Sequence, residues 1–194
     1  TKLPIHLASG GGFALKLERT FVTEVKPSAV PAGKGIPSFY KKYLEVDGLY
    51  IVSSDKVRDE ALEKAYEIVS LMLAKRPDVK QYMVSKGCHV MIIGEHEEVC
   101  DLPEYAHICN TPENIAFWNK RARGFGGAPE DDFSASCGEE NVLAFPGDKY
   151  VGENILIHEF AHLFHTIGIV GVEPDFDDRL EKCRQNAIAK GLWK

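Results

Sequence analysis

The chain has 194 residues, a length that suits one domain or one compact domain with an added flap. Hydrophobic residues make up 44% and charged residues 27% of the sequence, as in ordinary soluble globular proteins, and no apolar run approaches the roughly 18–20 residues that span a membrane. The net charge of −6 argues against a nucleic-acid-binding protein, which usually carries a basic face.

The cysteines give expectations about covalent structure and location. They lack the C-x-x-C spacing of thiolate zinc sites, so we do not expect cysteine-bound zinc. Cys100 and Cys109 bracket a short segment that contains Pro103, and we predict a disulfide bond between them. The odd count of five leaves at least one thiol free or paired with another chain. The sequence begins at Thr1 without a signal-like segment, so we interpret it as a mature form or a fragment, and we expect a secreted protein.

The first quarter of the chain has no helical pattern. Residues 1–48 are predicted to form an irregular or β-rich lead-in, with loose alternation of apolar residues from 13 to 25 and then a loop rich in proline and glycine. Residues 49–194 are the predicted main domain, and a single compact domain overall is the alternative. Residues 49–53 form a predicted strand, and Ser54 or Asp55 is the predicted N-cap of the helix that follows it.

The rest of the chain mixes short strands with helices, an order that predicts an α+β fold. The predicted elements are a helix at 77–87, a strand at 88–93 that is buried on both faces, polar loops at 95–131, two short strands around a turn at Gly138 within 133–145, a helix at 152–167 that ends at Gly168, and a helix at 175–190.

Residues His158-Glu159-Phe160-Ala161-His162 match the pattern H-E-x-x-H. Residues four apart on an α-helix lie about 40° from each other and one turn apart, so both imidazoles can bind the same metal ion. Neutral imidazole nitrogen is a good ligand for zinc. Glu159 would lie beside the attacking water, where its carboxylate can accept a proton and later pass it to the leaving amine. The motif therefore predicts a Zn²⁺ site with His158 and His162 as ligands and Glu159 as general base and acid.

A five-residue pattern also occurs by chance, so its surroundings matter. The three residues before the motif, Ile155, Leu156 and Ile157, are apolar and predict a buried helix at the base of a cleft. Histidine and glutamate side chains in such a setting have a desolvation cost that a bound metal offsets. The alternative is a surface helix with scattered polar residues, or core histidines that are hydrogen-bonded to the backbone.

The motif and its flanks resemble a known group of proteins. Residues 152–162, GENILIHEFAH, look like the active-site helix of zincin metallopeptidases. The stretch from Cys137 through Asp148 to the motif is similar to a family of little-characterised, minimal gluzincin-like domains, and the similarity extends back to residues 50–54 and the helix after them. The resemblance implies a zincin-like domain with a backing helix, a small mixed sheet and an active-site helix. It also implies an edge strand within residues 133–145 that binds an extended peptide by strand addition.

A catalytic zinc ion usually has three protein ligands, and the third one is open here. Metzincins continue the motif with a glycine and a histidine where this chain has His165 and Gly168, so the chain departs from their pattern. His165 lies about 10 Å further along the helix axis than His158, and we expect it to act beside the zinc ligands or in the cleft. Gluzincins use a glutamate from a later helix. The candidates here are Glu173, Asp175, Asp177, Asp178 and Glu181, and Glu173 and Asp177 fit best. The alternative is that these acidic residues are solvated side chains at the start of a helix.

The sequence leaves several functions open. In the first hypothesis, the chain is a zinc endopeptidase whose substrate is an extended peptide or protein. In the second, it is a non-catalytic binding or structural protein with a zincin fold. A processed chain whose partner chain supplies the third ligand is a further alternative. Neither the cleavage specificity nor the oligomeric state follows from the sequence.

Other residues near the motif have two interpretations each. Tyr150 either lines the cleft or packs with its hydroxyl in water. His89 is either a ligand or a hydrogen-bonded core residue, and we expect the core residue. A substrate-contacting patch or an ordinary surface loop is expected at Trp118, Lys120, Arg121 and Arg123.

Overall fold

The structure is a computed structural model of the chain, and it describes residues 25–127 and 133–192. The apolar alternation predicted for the lead-in lies almost entirely outside these described residues. Within them, the helices and strands form the mixed α+β arrangement that the sequence predicts.

A five-stranded mixed sheet organises the fold. The first two pairs of strands are antiparallel and the last two are parallel. Asp47 and Gly48 form a two-residue turn with φ angles of 48° and 100°, as favoured in tight hairpins. This hairpin brings part of the lead-in into the same sheet as the main domain. In spatial order the strands are β1 Ser28–Ala29, β2 Lys42–Val46, β3 Leu49–Ser53, β4 His89–Ile93 and β5 Ser134–Gly138.

Two helices, α1 (Asp59–Leu73) and α2 (Pro77–Ser85), connect β3 to β4. The sequence predicts both, but the predicted cap of α1 is wrong, because the helix begins at Asp59 and not directly after Ser54 or Asp55. A distant side chain holds this end of α1 instead. The carboxylate of Glu139 accepts a hydrogen bond of 2.9 Å from the backbone N–H of Arg58. The start of α1 therefore depends on a tertiary contact that local sequence does not reveal.

The parallel strands are buried on both faces, as predicted for residues 88–93. Alternate side chains face two different apolar cores. On one face, residues such as Ile51 pack with α1, α2 and a later helix, α5 (Ile155–Leu163). On the other face, residues such as Val52 pack under two 3₁₀ turns, Val99–Asp101 and Pro103–Tyr105. Helix α3 (Pro112–Arg121) follows these turns in the chain and has no fully buried residue.

Residues 133–145 fold differently from the prediction. Only one strand, β5, forms there, and the short helix α4 (Glu139–Val142) follows it directly. The prediction of two strands around Gly138 is therefore wrong. The physical reason is that Glu139 and Asn141 are only 3% and 6% exposed and make hydrogen bonds to distant backbone groups, so they do not alternate towards solvent.

Helix α5 does not end at Gly168, so that prediction is also wrong. It continues as a π-helix over Phe164–Ile169 and as α6 over Val170–Val172. Gly168 permits close packing instead, since a Cβ atom there would lie 2.6 Å from Val79 Cγ1 and 2.9 Å from the sulfur of Met83. By length and composition, Ile155–Val172 is the one helical stretch of the described chain that could cross a membrane. Core helices of soluble proteins share this property. The apolar face of this helix packs on the sheet. The last helix, α7, spans Phe176–Ala189, close to its prediction.

Cys100 and Cys109 form the predicted disulfide bond, with Cα atoms 5.6 Å apart. The bond closes the loop that leads to α3, and the side chain of Asn119 in α3 accepts a hydrogen bond of 3.0 Å from the backbone N–H of Cys100. Cys88 and Cys137 are buried thiols, and Cys183 is exposed on α7. Burial raises the pKa of the Cys137 thiol, which keeps it protonated.

We expect iodoacetamide to modify Cys183 alone in the folded, unreduced protein, because the reagent can reach its exposed side chain but not the buried Cys88 and Cys137. Cys88 and Cys137 should react only after denaturation. Peptide mass spectrometry of the alkylated protein measures the site of modification. The Cys183→Ser variant is the control and should remain unmodified when folded; rapid labelling of Cys137 in either protein would contradict the buried position of β5.

Candidate metal centre

The orientation of α5 is set by its apolar residues. Leu156, Phe160 and Leu163 are 0% exposed and recur at helical spacing on the face that packs against the sheet. The same spacing places His158 and His162 on the opposite face, where both are exposed. The motif therefore lies on the open side of a half-buried helix, and its two histidines are available to a ligand from solvent.

Two asparagines hold the start of α5. Asn154 is the N-cap, and its side-chain oxygen accepts a hydrogen bond of 2.9 Å from the backbone N–H of Ile157. Asn141 lies in α4, and its side chain accepts from the N–H of Ile155 at 2.7 Å and donates to the carbonyl of Glu153 at 2.9 Å. A buried side chain thus fixes both sides of the helix start, just ahead of the motif.

The two histidines converge on one point. Their Nε2 atoms lie 3.2 Å apart. Two lone pairs cannot face each other at this distance, so a proton or a cation must lie between them. Zinc with bonds of about 2.05 Å and tetrahedral angles holds two nitrogen ligands about 3.3 Å apart. The pair therefore fits two neighbouring positions of a zinc ion.

Glu159 lies beside the two histidines, and the ligand atoms of all three residues lie within 4.8 Å of one another. Its carboxylate is partly buried and lies close to the backbone of Gly126. Burial raises the pKa of the Glu159 carboxyl, whereas the adjacent His158 and His162 and the Gly126 N–H lower it. The carboxylate is thus held next to the metal position by a contact from outside the helix.

That contact comes from a segment next to β5. Residues 123–127 run antiparallel along the outer edge of β5, where Phe125 accepts a hydrogen bond of 2.8 Å from the N–H of Ser136. Gly126 faces α5, since a Cβ atom there would lie 2.8 Å from His162 Cβ and 2.9 Å from Glu159 Oε2 and would overlap the Glu159 carbonyl. The glycines therefore permit residues 123–127 to approach the motif closely. From the sequence alone, this stretch could equally be an ordinary flexible turn.

Arg123 anchors the same segment. Its guanidinium makes a two-pronged ion pair with Glu140, with N···O distances of 2.7 and 2.9 Å, and donates to the carbonyl of Gly94 at 2.9 Å. Arg123 is only 8% exposed, so it does not belong to a surface patch that contacts substrate. Trp118, from the same expected patch, packs edge-on against Phe125 with ring centroids 5.3 Å apart.

The other candidate ligands are engaged elsewhere. His165 lies 2.6 Å from Asp177 through its Nε2 atom, a contact that joins the π-helix to α7. Glu173 forms an ion pair of 2.8 Å with Arg76 and a second one with Arg179, which together lower the pKa of its carboxyl. Among the described residues, only His158, Glu159 and His162 form a group that could hold a metal ion. None of the acidic residues of 173–181 joins this group.

Two further residues have clear positions. Tyr150 packs against the apolar core to which α5 contributes, and its hydroxyl lies 3.5 Å from the carbonyl of Arg121. Burial raises the pKa of this hydroxyl, and the negative charge of Glu159 adds to the effect, which places Tyr150 near the motif. His89 is a mostly buried residue stacked on Tyr50, as expected for a core histidine, with ring centroids 4.7 Å apart.

Comparison with known proteins gives no relative. No family model matches the chain, and no curated protein or solved structure matches it significantly. The zincin resemblance therefore rests on the motif and its flanks.

We expect Gly126→Ala to lower the free energy of unfolding by about 1–3 kcal/mol and to weaken zinc binding, because the added methyl group must displace α5 or residues 123–127. Urea unfolding and zinc titration measure the two effects. Gly33→Ala is a suitable control, since a Cβ atom there meets nothing within 4 Å and only backbone strain results. A Gly126→Ala protein with wild-type stability and zinc affinity would show that residues 123–127 do not pack against the motif.

We expect Asn141→Ala to destabilise the protein by about 2–3 kcal/mol, because the N–H of Ile155 and the carbonyl of Glu153 lose a buried partner. Asn154→Ala removes a more exposed cap and should cost about 1 kcal/mol. Thermal and urea unfolding of both variants measure the difference. A smaller loss for Asn141→Ala than for Asn154→Ala would contradict the central role of Asn141 at the helix start.

Proposed function

We propose that the chain is a zinc-dependent endopeptidase with a zincin-like arrangement, in which α1 backs the mixed sheet and α5 carries the metal ligands. The main support is the pair of Nε2 atoms 3.2 Å apart, which fits two positions of a zinc ion, with the carboxylate of Glu159 beside it. His158 and His162 are the proposed ligands.

In the proposed reaction, a bound zinc ion would supply Lewis-acid chemistry, lowering the pKa of a water molecule and polarising the scissile carbonyl. Glu159 accepts a proton from the water as the oxygen attacks the carbonyl carbon. The same carboxyl group then donates this proton to the nitrogen of the leaving amine as the carbon–nitrogen bond breaks. The backbone of Gly126 packs against the Glu159 carboxylate, and burial raises the pKa of this carboxyl group.

We propose residues 123–127 as the substrate-binding edge. β5 is the last strand of the sheet, within the range where the resemblance implies such an edge, but this segment covers part of its outer side. The carbonyls of Arg123 and Phe125 face β5, so in an antiparallel ladder the backbone groups of Gly124 and Gly126 face away from it; Gly124 is buried, whereas Gly126 is partly exposed. An extended peptide can pair with such an edge by strand addition. Substrate bound there would lie across the exposed face of α5.

In a second candidate function, the chain is a binding or structural protein that holds zinc without catalysing a reaction. The observation that favours it is the small ligand set, since within the described residues no side chain other than Glu159 joins His158 and His162 as a possible ligand. The third position would then be filled by water, or by a ligand from another chain, as in a processed protein with a partner chain. The retained Glu159, held against Gly126, favours catalysis, because a purely structural site does not need a base.

We further propose that the protein is secreted. The disulfide bond between Cys100 and Cys109 supports this location, because such bonds persist in oxidising compartments.

We expect wild-type protein to cleave members of a mixed peptide library, and Glu159→Gln to lose at least about 100-fold of this activity while it keeps bound zinc, because only the proton acceptor is removed. His158→Ala and His162→Ala should lose both zinc and activity. Mass spectrometry of the peptides and metal analysis of the proteins are the measurements.

Chelator treatment followed by zinc addition is the matched control, and it should remove and restore cleavage. Unchanged cleavage by Glu159→Gln would exclude the proposed reaction. Tight zinc binding without cleavage of any peptide would favour the binding or structural function.

A further inference from the structure

We propose that Glu153 is a positioning residue of the metal centre, which fixes the ring of His158 so that its Nε2 atom is presented to the zinc ion. This inference rests on the proposed zinc site, and it does not require that the site hydrolyses peptides. The motif does not reveal this residue, because Glu153 lies before the helix and outside the H-E-x-x-H pattern.

The contact itself assigns the proton on the histidine. The Nδ1 atom of His158 lies 2.9 Å from Oε1 of Glu153. An ionised carboxylate can only accept hydrogen bonds, so Nδ1 must carry the proton. A neutral imidazole has one N–H, and therefore Nε2 keeps its lone pair. This is the nitrogen that lies 3.2 Å from Nε2 of His162 at the proposed metal position.

Glu153 is itself held from both sides of its backbone. Its N–H donates to the carbonyl of Tyr150 at 3.0 Å, and its carbonyl accepts from the side chain of Asn141 at 2.9 Å. The preceding Gly152 has a φ angle of 90°, a conformation that turns the chain sharply into the helix start. The carboxylate thus projects from a fixed point at the N-terminal end of α5, where the helix dipole favours a negative charge.

The two histidines differ in this respect. Within residues 25–127 and 133–192, no side chain bonds Nδ1 of His162, whereas His158 has the carboxylate of Glu153. The side chains of Glu153 and His158 are about half exposed, at 55% and 48%, so the pair contributes little to folding stability. Its effect is therefore on the orientation and proton position of one ligand, and a carboxylate partner of this kind also makes the imidazole a stronger donor to the metal.

Zinc affinity, measured by competition with a chromophoric chelator, tests this role. We expect Glu153→Ala to weaken zinc binding about 10–100-fold, as the loss of such partners usually does. Glu153→Gln keeps an oxygen acceptor and should weaken binding less than Glu153→Ala. Glu181→Gln is the matched control, because Glu181 is a similarly exposed, ion-paired carboxylate on α7, and it should leave zinc affinity unchanged. Unfolding midpoints of all variants should stay close to that of the wild type.

A second measurement needs no zinc. Long-range ¹H–¹⁵N NMR of the metal-free protein, at a pH where His158 is neutral, reports which ring nitrogen carries the proton. We expect the Nδ1–H form in the wild type and a shift towards the Nε2–H form in Glu153→Ala. His158→Ala identifies the signal. A general structural defect would instead lower the unfolding midpoint and change the NMR signals of residues far from His158.

The outcomes separate this inference from the proposed function. If the wild type binds zinc but cleaves no peptide, the peptidase proposal fails, and the affinity series still tests Glu153. Zinc affinity of Glu153→Ala within about twofold of the wild type, or an unchanged His158 tautomer, overturns the positioning role. A wild type that binds zinc no better than His158→Ala overturns both proposals.

Discussion

The packing of α5 against the sheet is the constraint on which the site depends. Leu156, Phe160 and Leu163 are completely buried, and each such side chain contributes about 1.5–3 kcal/mol relative to an exposed one. Rotation of the helix by one residue, about 100°, would move these side chains out of the core and a histidine towards it. The apolar residues therefore fix the direction of the motif, although none of them touches a metal position.

Polar contacts from three consecutive residues then place the surrounding elements. Glu139 holds the start of α1, Glu140 holds Arg123 and with it residues 123–127, and Asn141 holds the start of α5. All three follow β5 directly, so the residues after one strand fix the positions of α1, residues 123–127 and α5 relative to one another. Buried polar groups must be satisfied, and here their partners are the backbone N–H groups of Arg58 and Ile155 and the guanidinium group of Arg123. This explains why a short helix follows β5 where a second strand is predicted.

Local sequence was sufficient for elements whose pattern is also local. The apolar spacing of α1, the continuous apolar strand β4 and the disulfide bond could be predicted, as could a helix around the motif. The two features of the site that could not be predicted depend on tertiary contacts. Gly126 stands out only once it lies against Glu159, and Glu153 only once the turn at Gly152 brings it to His158. The continuation of the helix past Gly168 could not be predicted for the same reason. Gly168 does not end the helix there; its lack of a side chain permits close packing against α2.

A tertiary contact also bears on the roles that we propose for the residues of the motif. A carboxylate next to two histidines could bind zinc as a third ligand or act as a base, and the five-residue pattern alone does not separate these roles. The carboxylate of Glu159 is partly buried and packs against Gly126, which holds it against residues 123–127. The two Nε2 atoms already converge without it, at a spacing that suits tetrahedral zinc. This geometry favours the base role for Glu159, beside the edge on which an extended substrate would pair, and leaves the remaining metal positions to water and substrate or to a further ligand.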